Sequence, residues 1–377
     1  MTATDWTETP LGEQLTFQRG FDITKKEQED GPYPVVSSSG IKSHHKEFKV
    51  NGPGVIIGRK GTLGTAFYVD SDFWPHDTTL WVKDFHGNDP KFAYFFVQCM
   101  GFEQYDCGAS NPTLNRNHIH KLPVLFPGLP TQHKIASILS AYDDLIENNT
   151  RRIAILEEMA QAIYREWFVH FRFPGHEHVK LVDSPLGQIP EGWEVKKLGD
   201  AIELPYGKAL KKADRKGGDV AVYGSGGIVG YHDEFLSAGP GIVVGRKGNV
   251  GSVFWSDVSF YPIDTAFYVK SDLPLHYVYF NLLLSQQFLN SDAAVPGLNR
   301  NQAYSNPFLI PENDLLDSFT QQIAPIFSLT RSLRSRNRNL RTTRDLLLPK
   351  LISGNLDVED LDIDVGMATE AMEETTA

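Results

Sequence analysis

Short apolar runs separated by glycine and proline dominate two long stretches of the chain. Val55-Ile56-Ile57 and Ile242-Val243-Val244 are typical of these runs, and turn-forming residues bound both of them. Runs of this length and composition predict buried β-strands joined by tight turns. Each stretch also predicts one short helix, at 90–100 and at 275–288, and a closing strand bounded by proline, at 122–126 and at 308–310.

A second pattern, with apolar residues three and four positions apart, follows each strand-rich stretch. This spacing is the heptad repeat of a coiled coil, and it predicts helices of roughly 50 Å and roughly 43 Å at 1.5 Å per residue. The first apolar seam has one four-four step, after Asn149, and comprises Ile135, Ile138, Tyr142, Leu145, Asn149, Ile153, Leu156, Ala160, Ile163 and Trp167. The second seam comprises Ile323, Ile326, Thr330, Leu333, Asn337, Leu340, Arg344, Leu347 and Leu351.

The two predicted helices carry opposite charge. Six acids accompany three arginines over 143–166, whereas seven bases accompany a single acid over 331–350. Opposite charges beside two apolar seams favour pairing of the helices with each other, and one asparagine in each seam, Asn149 and Asn337, is expected to fix the register. The alternative is that each helix packs only on its own domain.

The chain repeats itself at an offset of 187 residues. Trp6 returns as Trp193, and the segment Gly58-Arg59-Lys60-Gly61 returns as Gly245-Arg246-Lys247-Gly248. After a three-residue deletion, Leu114-Asn115-Arg116-Asn117 returns as Leu298-Asn299-Arg300-Asn301. Identities that keep one register over a hundred residues predict two homologous structural units related by an approximate rotation.

The repeat and the two helical patterns together predict an α+β fold. Two homologous strand-rich domains, related by an approximate rotation, are separated by two long helices. The expected divisions are a first domain at 1–130, a first helix at 131–172, a second domain at 185–312, a second helix at 318–353 and an acidic flexible tail at 357–377.

The net charge of -11 is concentrated at the end of the chain. Eight acids and no bases lie in 357–377, so the remaining chain has a net charge of only -3 and can still carry a basic face. We expect a solvated tail, and the alternative is an acidic segment that docks on a partner. We expect a cytoplasmic protein for three reasons. The chain has only two cysteines, its first residues lack the features of a signal peptide, and no window of ~18 residues is apolar throughout.

The repeated Gly-Arg-Lys-Gly segment is a candidate for contact with nucleic acid. Glycine at both ends lets the backbone bend tightly and approach another surface. The side chains between the glycines are Arg59 and Lys60 in the first copy and Arg246 and Lys247 in the second. Arginine suits phosphate oxygens and the O6/N7 edge of guanine, and lysine suits phosphate. The alternative is a β-turn with two solvated cations.

The repeated Leu-Asn-Arg-Asn segment is a second candidate. It supplies Asn115 and Arg116 in the first copy and Asn299 and Arg300 in the second. Asparagine can bind adenine edges and arginine can hold phosphate. The alternative is a polar turn in which the asparagine caps the next element.

Sequence signatures of catalysis and of metal binding are weak. The segment Gly58 to Gly64 lacks the Lys-Ser/Thr pair of a phosphate-binding loop, and Asn306-Pro307-Phe308 lacks the second proline of an amino-methyltransferase motif. His45 and His232 recur with nearby acids, which would give only two metal ligands, so we expect these rings to be satisfied by backbone groups in a turn.

Several runs in the chain resemble those of a known family. The run Leu129-Pro130-Thr131-Gln132-His133-Lys134-Ile135-Ala136, with 145–149, 152–162 and Trp167-Phe168, is similar to the central conserved region of type I restriction–modification specificity subunits. The segment 189–194 resembles the start of their second target recognition domain, and 344–354 resembles the end of their distal conserved region. Departures from the family pattern are Pro325 early in the second helix and the acidic residues after Val358.

The resemblance implies a DNA-reading subunit without a catalytic site, which serves defence against foreign DNA. The target recognition domains would lie at opposite ends of two long antiparallel helices (a coiled coil), which gives the internal repeat pseudo-twofold symmetry. Each domain would bind one half of a bipartite DNA target, while the helices space the halves and dock two methyltransferase subunits. Two motor–nuclease subunits would join for restriction, and S-adenosylmethionine, ATP and Mg²⁺ would belong to these partners. The other classes are an enzyme with a hidden site and an assembly scaffold that never touches bases.

Overall fold

The computed structural model describes residues 6–108, 112–284, 288 and 297–363. The chain divides into two compact units, the first formed by Met1–Asn149 with Arg336–Ala377 and the second by Thr150–Ser335. Both divisions fall inside long helices. Each unit therefore contains one strand-rich domain together with part of each helix.

The described residues of the first unit form nine strands, three short helices and part of each long helix. The strands are β1 Thr7–Pro10, β2 Thr16–Arg19, β3 Tyr33–Ser37, β4 Gly40–His45, β5 Gly54–Gly58, β6 Ala66–Val69, β7 Trp74–Pro75, β8 Thr79–Asp84 and β9 Pro123–Phe126. The helices are α1 Leu11–Gln14, α2 Pro90–Gln98, α3 Arg116–Ile119 and α4 Leu129–Tyr164, and a 3-10 turn covers Phe102–Tyr105. The predicted helix at 90–100 and strand at 122–126 are confirmed.

The second unit repeats this plan and adds one hairpin before it. The strands are β10 Leu181–Ser184, β11 Gly187–Pro190, β12 Glu194–Lys197, β13 Val220–Gly224, β14 Gly227–His232, β15 Gly241–Gly245, β16 Val253–Ser256, β17 Phe260–Pro262, β18 Ala266–Tyr268 and β19 Pro307–Ile310. The helices are α5 Leu198–Ala201, α6 Leu275–Leu284, α7 Arg300–Tyr304 and α8 Asn313–Ile352. A π turn covers Arg165–Val169, and 3-10 turns cover His176–His178 and Lys212–Asp214.

Strand pairing confirms the internal repeat. In the first unit β3 pairs antiparallel with β4 and parallel with β7, and in the second β13 pairs in the same way with β14 and β17. The bulges also correspond, since one lies between Val35 and Val36 and the other between Val222 and Tyr223, 187 residues later. The central strand β5 of the first unit pairs with β6 and β8. Its counterpart β15 in the second unit pairs with β16 and β18.

Each unit has a core in which its strands pack on its short helices and on the long helices. In the first unit Val55 and Ile57 of β5 share a buried cluster with Phe92 of α2, Ile135 of α4 and Leu351 of α8. The corresponding cluster of the second unit contains Ile242, Val244, Tyr277, Tyr164 and Phe319. The apolar runs predicted as buried strands are therefore confirmed, and the long helices pack on the domains as well.

The long helices run antiparallel to each other within each unit. In the first unit Arg344 binds Asp143, and the more N-terminal Asn337 binds Ile146. In the second unit Arg334 of α8 forms an ion pair with Glu157 of α4, and Phe319 packs 6.1 Å from Tyr164 between ring centroids. Each helix therefore uses both its domain and the other helix as packing partners.

The predicted seam of α8 is correct, but that of α4 needs correction. Leu145 is 54% exposed, whereas Leu139 and Ile146 are buried. With these two residues in place of Ile138 and Leu145, the steps alternate four and three without interruption, so the four-four step after Asn149 does not exist. The error arises because apolar residues stand next to each other at 138–139 and 145–146, and spacing alone does not separate them.

The second long helix starts earlier than the sequence predicts. It has 40 residues, about 60 Å at the helical rise, and α4 has 36 residues, about 54 Å. Leu316 and Phe319 are buried before Ile323 and extend the apolar stripe backwards, so Pro325 lies inside the helix instead of near its start. Beyond α8, Val358 is buried and Lys134 Nζ donates to Glu359 O at 2.7 Å. The start of the predicted tail is thus packed, and its residues 364–377 lie outside the described chain.

Candidate nucleic-acid interface

The Gly-Arg-Lys-Gly segment forms the same tight turn in both units. In the first, the backbone N–H groups of Arg59 and Lys60 both donate to Thr78 O, at 2.8 and 3.0 Å. A Cβ at Gly58 would lie 1.9 Å from Thr62 O, which no side chain could accept, and Gly61 has a φ of +78°. The glycines are therefore required by close backbone approach and by a left-handed conformation.

The equivalent turn of the second unit has the same construction. The N–H groups of Arg246 and Lys247 donate to Thr265 O at 2.9 and 3.2 Å. A Cβ at Gly245 would lie 2.1 Å from Asn249 O. Because both copies keep this backbone, the two cations of each turn occupy corresponding positions.

The structure brings the two predicted segments together in each unit. Leu114 N donates to Arg59 O at 2.9 Å, and Leu298 N donates to Arg246 O at 2.8 Å. A single β-bridge joins each turn to the residue before the second segment, Lys60 with Thr113 and Lys247 with Gly297. The eight predicted site residues, four in each unit, thus form two corresponding clusters.

The asparagines of the second segment act as helix caps. Asn115 Oδ1 accepts from Asn117 N at 3.0 Å, and Asn299 Oδ1 accepts from Asn301 N at 3.0 Å. Arg116 and Arg300 are the first residues of the helices that follow. The capping interpretation is therefore confirmed for both side-chain oxygens, while contact of these residues with DNA stays a prediction.

The first cluster contains one more cation and a carboxylate that sequence reasoning missed. Arg19 Nη2 donates to Asp77 Oδ2 at 2.9 Å, and Lys60 Nζ lies 3.7 Å from the same oxygen. Burial alone would raise the pKa of Asp77, but the hydrogen bond from Arg19 and the charges of His76 and Lys60 hold the pKa below its ordinary value. Burial and repulsion from Arg19 lower the pKa of the Arg59 guanidinium. Cations therefore converge on one carboxylate here.

The second cluster contains an aromatic ring where the first has Arg19. The guanidinium carbons of Arg246 and Arg300 each lie 4.7 Å from the ring centroid of Tyr206, within cation–π distance. Arg19 and Tyr206 differ by the repeat offset of 187, and each precedes a repeated glycine, Gly20 or Gly207. Alignment of the two copies could have located this position, although it holds different residue types.

The repeated histidines end β4 and β14 and belong to no metal cluster of the described residues. Glu29 N donates to His45 Nδ1 at 3.0 Å, and Lys216 N donates to His232 Nδ1 at 3.3 Å. Both rings are buried and satisfied by the backbone, as expected, although they lie at strand ends and not in turns. The one group in the described chain with ligand atoms spaced closely enough for a metal comprises Asp22, His76 and Asp77.

The fragment of a methyltransferase motif is structural. Pro307 starts β19 and stands opposite Lys197 in the strand pair, as Pro123 stands opposite Pro10 in the first unit. Leu198 N donates to Asn306 O at 2.8 Å, matching the bond from Leu11 N to Leu122 O.

No helix among the described residues is long and apolar enough to cross a membrane.

The chain thus has two homologous domains, and each carries a basic turn joined to an Asn-Arg helix start. Comparison with known proteins identifies its family. The chain belongs to the family described as the type I restriction modification DNA specificity domain, whose sequence model matches residues 3–158 and 190–323.

Named relatives and a solved structure agree with this assignment. The MjaIX specificity subunit of Methanocaldococcus jannaschii, a type I restriction enzyme subunit, is 25% identical over 307 residues, covering 72% of this chain and 70% of the relative. The HindI specificity subunit of Haemophilus influenzae is 22% identical, covering 65% and 71%. The crystal structure of an S subunit from M. genitalium has a TM-score of 0.62 at 17% identity and covers 92% of this chain and 96% of that one, which supports the fold.

Proposed function

We propose that each unit reads one half of a bipartite DNA target, and that the chain serves as the specificity subunit of a type I restriction–modification complex. The observation that carries the proposal is the pair of corresponding clusters, in which a basic turn is joined to an Asn-Arg helix start. Such clusters offer the arginine, lysine and amide groups that bind phosphates and base edges. Two copies of one reader, whose side chains differ around a shared backbone, suit a target with two unlike halves.

The partners and cofactors follow from this role. We propose that two methyltransferase subunits dock on the chain and that two motor–nuclease subunits join them for restriction. S-adenosylmethionine, ATP and Mg²⁺ would be held by those partners, and this chain would contribute no catalytic group. A protein that reads DNA and has only two cysteines, Cys99 and Cys107, suits the cytoplasm.

Selection from a randomised DNA duplex pool tests the proposal. The full chain is co-expressed with its methyltransferase subunits, and bound duplexes are sequenced. We expect a motif with two specified halves and an unspecified gap, together with affinity that falls steeply with salt. Binding without any enriched motif would instead support an assembly scaffold. Methylation by the chain alone, without partner subunits, would support a hidden enzyme.

A further inference from the structure

One position in the strand-rich domain differs sharply in chemistry between the two units although its backbone is the same. Arg19 occupies it in the first unit and Tyr206 in the second. The next residue is glycine in both, and its N–H donates to an equivalent carbonyl: Gly20 to Thr79 O at 3.1 Å, and Gly207 to Ala266 O at 3.0 Å. Arg19 and Tyr206 therefore project from matching points beside the basic turns.

In the second unit this position gathers two arginines from different segments. Arg246 comes from the basic turn and Arg300 from the start of α7, and both guanidinium groups lie 4.7 Å from the centroid of Tyr206. A β-bridge between Tyr206 and Phe267 fixes the tyrosine backbone, and their rings pack 4.9 Å apart. Tyr206 remains 46% exposed, so the assembled group faces solvent.

The two guanidinium groups lack charge compensation within the described chain. No described carboxylate lies within 4.0 Å of either group, and Arg246 Nη1 donates instead to the backbone oxygen of Asp264 at 3.0 Å. Arg300 Nε is buried and has no hydrogen-bond partner among the described residues. Stacking on a ring occupies the face of a guanidinium and leaves its edge N–H groups to donate. Two cations on one ring repel each other, so a shared acceptor would relieve the repulsion.

In the first unit, cations of the corresponding cluster have a carboxylate partner. Arg19 and Lys60 lie within ion-pairing distance of Asp77, at 2.9 and 3.7 Å. The equivalent residue of the second unit, Asp264, forms no ion pair with a described arginine or lysine. The first cluster is thus partly neutralised by its own acid, while the second presents two arginines without such a partner.

We propose that Tyr206 is a positioning residue that holds Arg246 and Arg300 as a paired donor for two acceptor atoms of DNA. This inference rests on the proposed function and deepens it for one half-site. The acceptors are either phosphate oxygens or the O6 and N7 atoms of guanine, since both present paired acceptors to arginine. Arg19 at the corresponding position makes the first unit chemically different, so position 19 or 206 distinguishes the two half-sites.

Substitution of Tyr206 in the full chain, bound to its methyltransferase subunits, tests the proposal. The probe is the randomised duplex pool, and the readouts are the selected motif, the affinity and its salt dependence. Tyr206→Leu removes the ring and should weaken binding roughly fivefold to thirtyfold, as expected for two cation–π contacts. Tyr206→Phe keeps the ring and should bind as the unaltered protein does. Tyr231→Leu is the matched control, because Tyr231 is 50% exposed in the same unit.

The outcomes separate the two acceptors. A lost guanine preference in one half-site, with the other half unchanged, assigns the base edge. An unchanged motif with a salt slope smaller by about one or two assigns phosphate. The proposal is overturned if Tyr206→Leu leaves motif, affinity and slope unchanged, if Tyr206→Phe behaves like Tyr206→Leu, or if both half-sites change together with a loss of thermal stability. Failure of the unaltered protein to select any motif would instead refute the proposed function.

Discussion

Asn149 of α4 donates a hydrogen bond from Nδ2 to Oδ1 of Asn337 on α8, at 2.9 Å, and both side chains are buried. Asn337 Nδ2 in turn donates to the backbone oxygen of Ile146 at 3.1 Å. A polar pair inside an apolar seam is satisfied in one alignment of the helices and unsatisfied when either helix slips. The pair therefore fixes the register of α4 against α8 in the first unit.

Replacement of one asparagine should cost more stability than replacement of both. Asn149→Leu removes a hydrogen-bond partner of the Asn337 amide, and we expect a loss of about 1–3 kcal/mol in the free energy of unfolding. The double variant with Asn337→Leu should recover most of that loss, since two apolar side chains replace a satisfied pair. Chemical denaturation measures both. Leu145→Ala is the control and should change little, because Leu145 is exposed; a large loss there would favour the seam that includes Leu145.

Removal of a basic turn should weaken DNA binding through electrostatics. Alanine at both Arg59 and Lys60, or at both Arg246 and Lys247, should reduce the salt slope of log affinity by about one for each phosphate that the variant no longer binds. Binding titrations over a range of salt concentrations measure the slope. Alanine at Lys25 and Lys26, which are exposed and removed in sequence from the turns, provides a charge-matched control. Equal slopes for the turn variants and the control would show that the turns are purely structural.

His120 should make the stability of the first unit sensitive to acid. Phe17 N donates to His120 Nε2 at 2.8 Å, so the folded state holds the neutral ring. Burial and the charge of Arg116 lower its pKa. The stabilisation is therefore present above the unfolded pKa of about 6.5 and is lost as pH falls through the lower folded pKa.

The second unit supplies the control for this pH dependence. Tyr304 OH accepts from Leu204 N at 2.7 Å, in the place that His120 takes in the first unit. His120→Tyr should copy that contact and flatten the loss of stability at low pH, measured as the difference in unfolding free energy between variant and unaltered protein at two pH values. An identical pH dependence in the two proteins would exclude a contribution from His120.

Exchange of one domain should change one half of the DNA target. If residues 185–312 are replaced by those of a relative, only one half of the methylated motif should differ, because each unit has its own core and its own basic cluster. Methylome sequencing gives the motif directly. The reciprocal exchange of 1–130 should change the other half alone. A change in both halves after a single exchange would mean that the units do not read independently.

Lengthening both long helices should widen the gap between half-sites. One heptad inserted after Asn149 and another after Ser335 keeps the alternation of four and three and adds about 10 Å to each helix, equal to about three base pairs. Both half-sites should remain as they were. An active complex with the original gap would show that the partner subunits set the spacing.

Much of the fold followed from the sequence because the chain contains two copies of one pattern. Repeated glycines and prolines marked the turns, and the seam of α8 was predicted correctly because Leu333 and Leu340 have no apolar neighbours in sequence and so set its register. The seam of α4 was partly wrong because neighbouring apolar residues, such as Leu145 and Ile146, offered two choices that only packing could resolve.

Only part of the candidate site could be predicted from the sequence. The basic turns and the Asn-Arg segments were found because both copies retain them. Arg19 and Tyr206 were missed because the copies differ there, and the contacts that give them meaning depend on residues far away in sequence, such as Asp77 and Arg300. Identity between the repeats shows the shared backbone framework. Only the three-dimensional structure shows which of the differing residues lie beside the basic turns.

Gly58 and Gly245 restrict which positions near the basic turns can carry a different side chain. A side chain at either would collide with a backbone oxygen, at 1.9 Å from Thr62 O or 2.1 Å from Asn249 O, so these positions tolerate no variation. Positions 19 and 206 already hold residues of unrelated chemistry on the same backbone. Under the proposed function, exchange of the single exposed side chain at position 19 or 206 would alter one half of the target, while the turn that supports the arginines would keep its backbone.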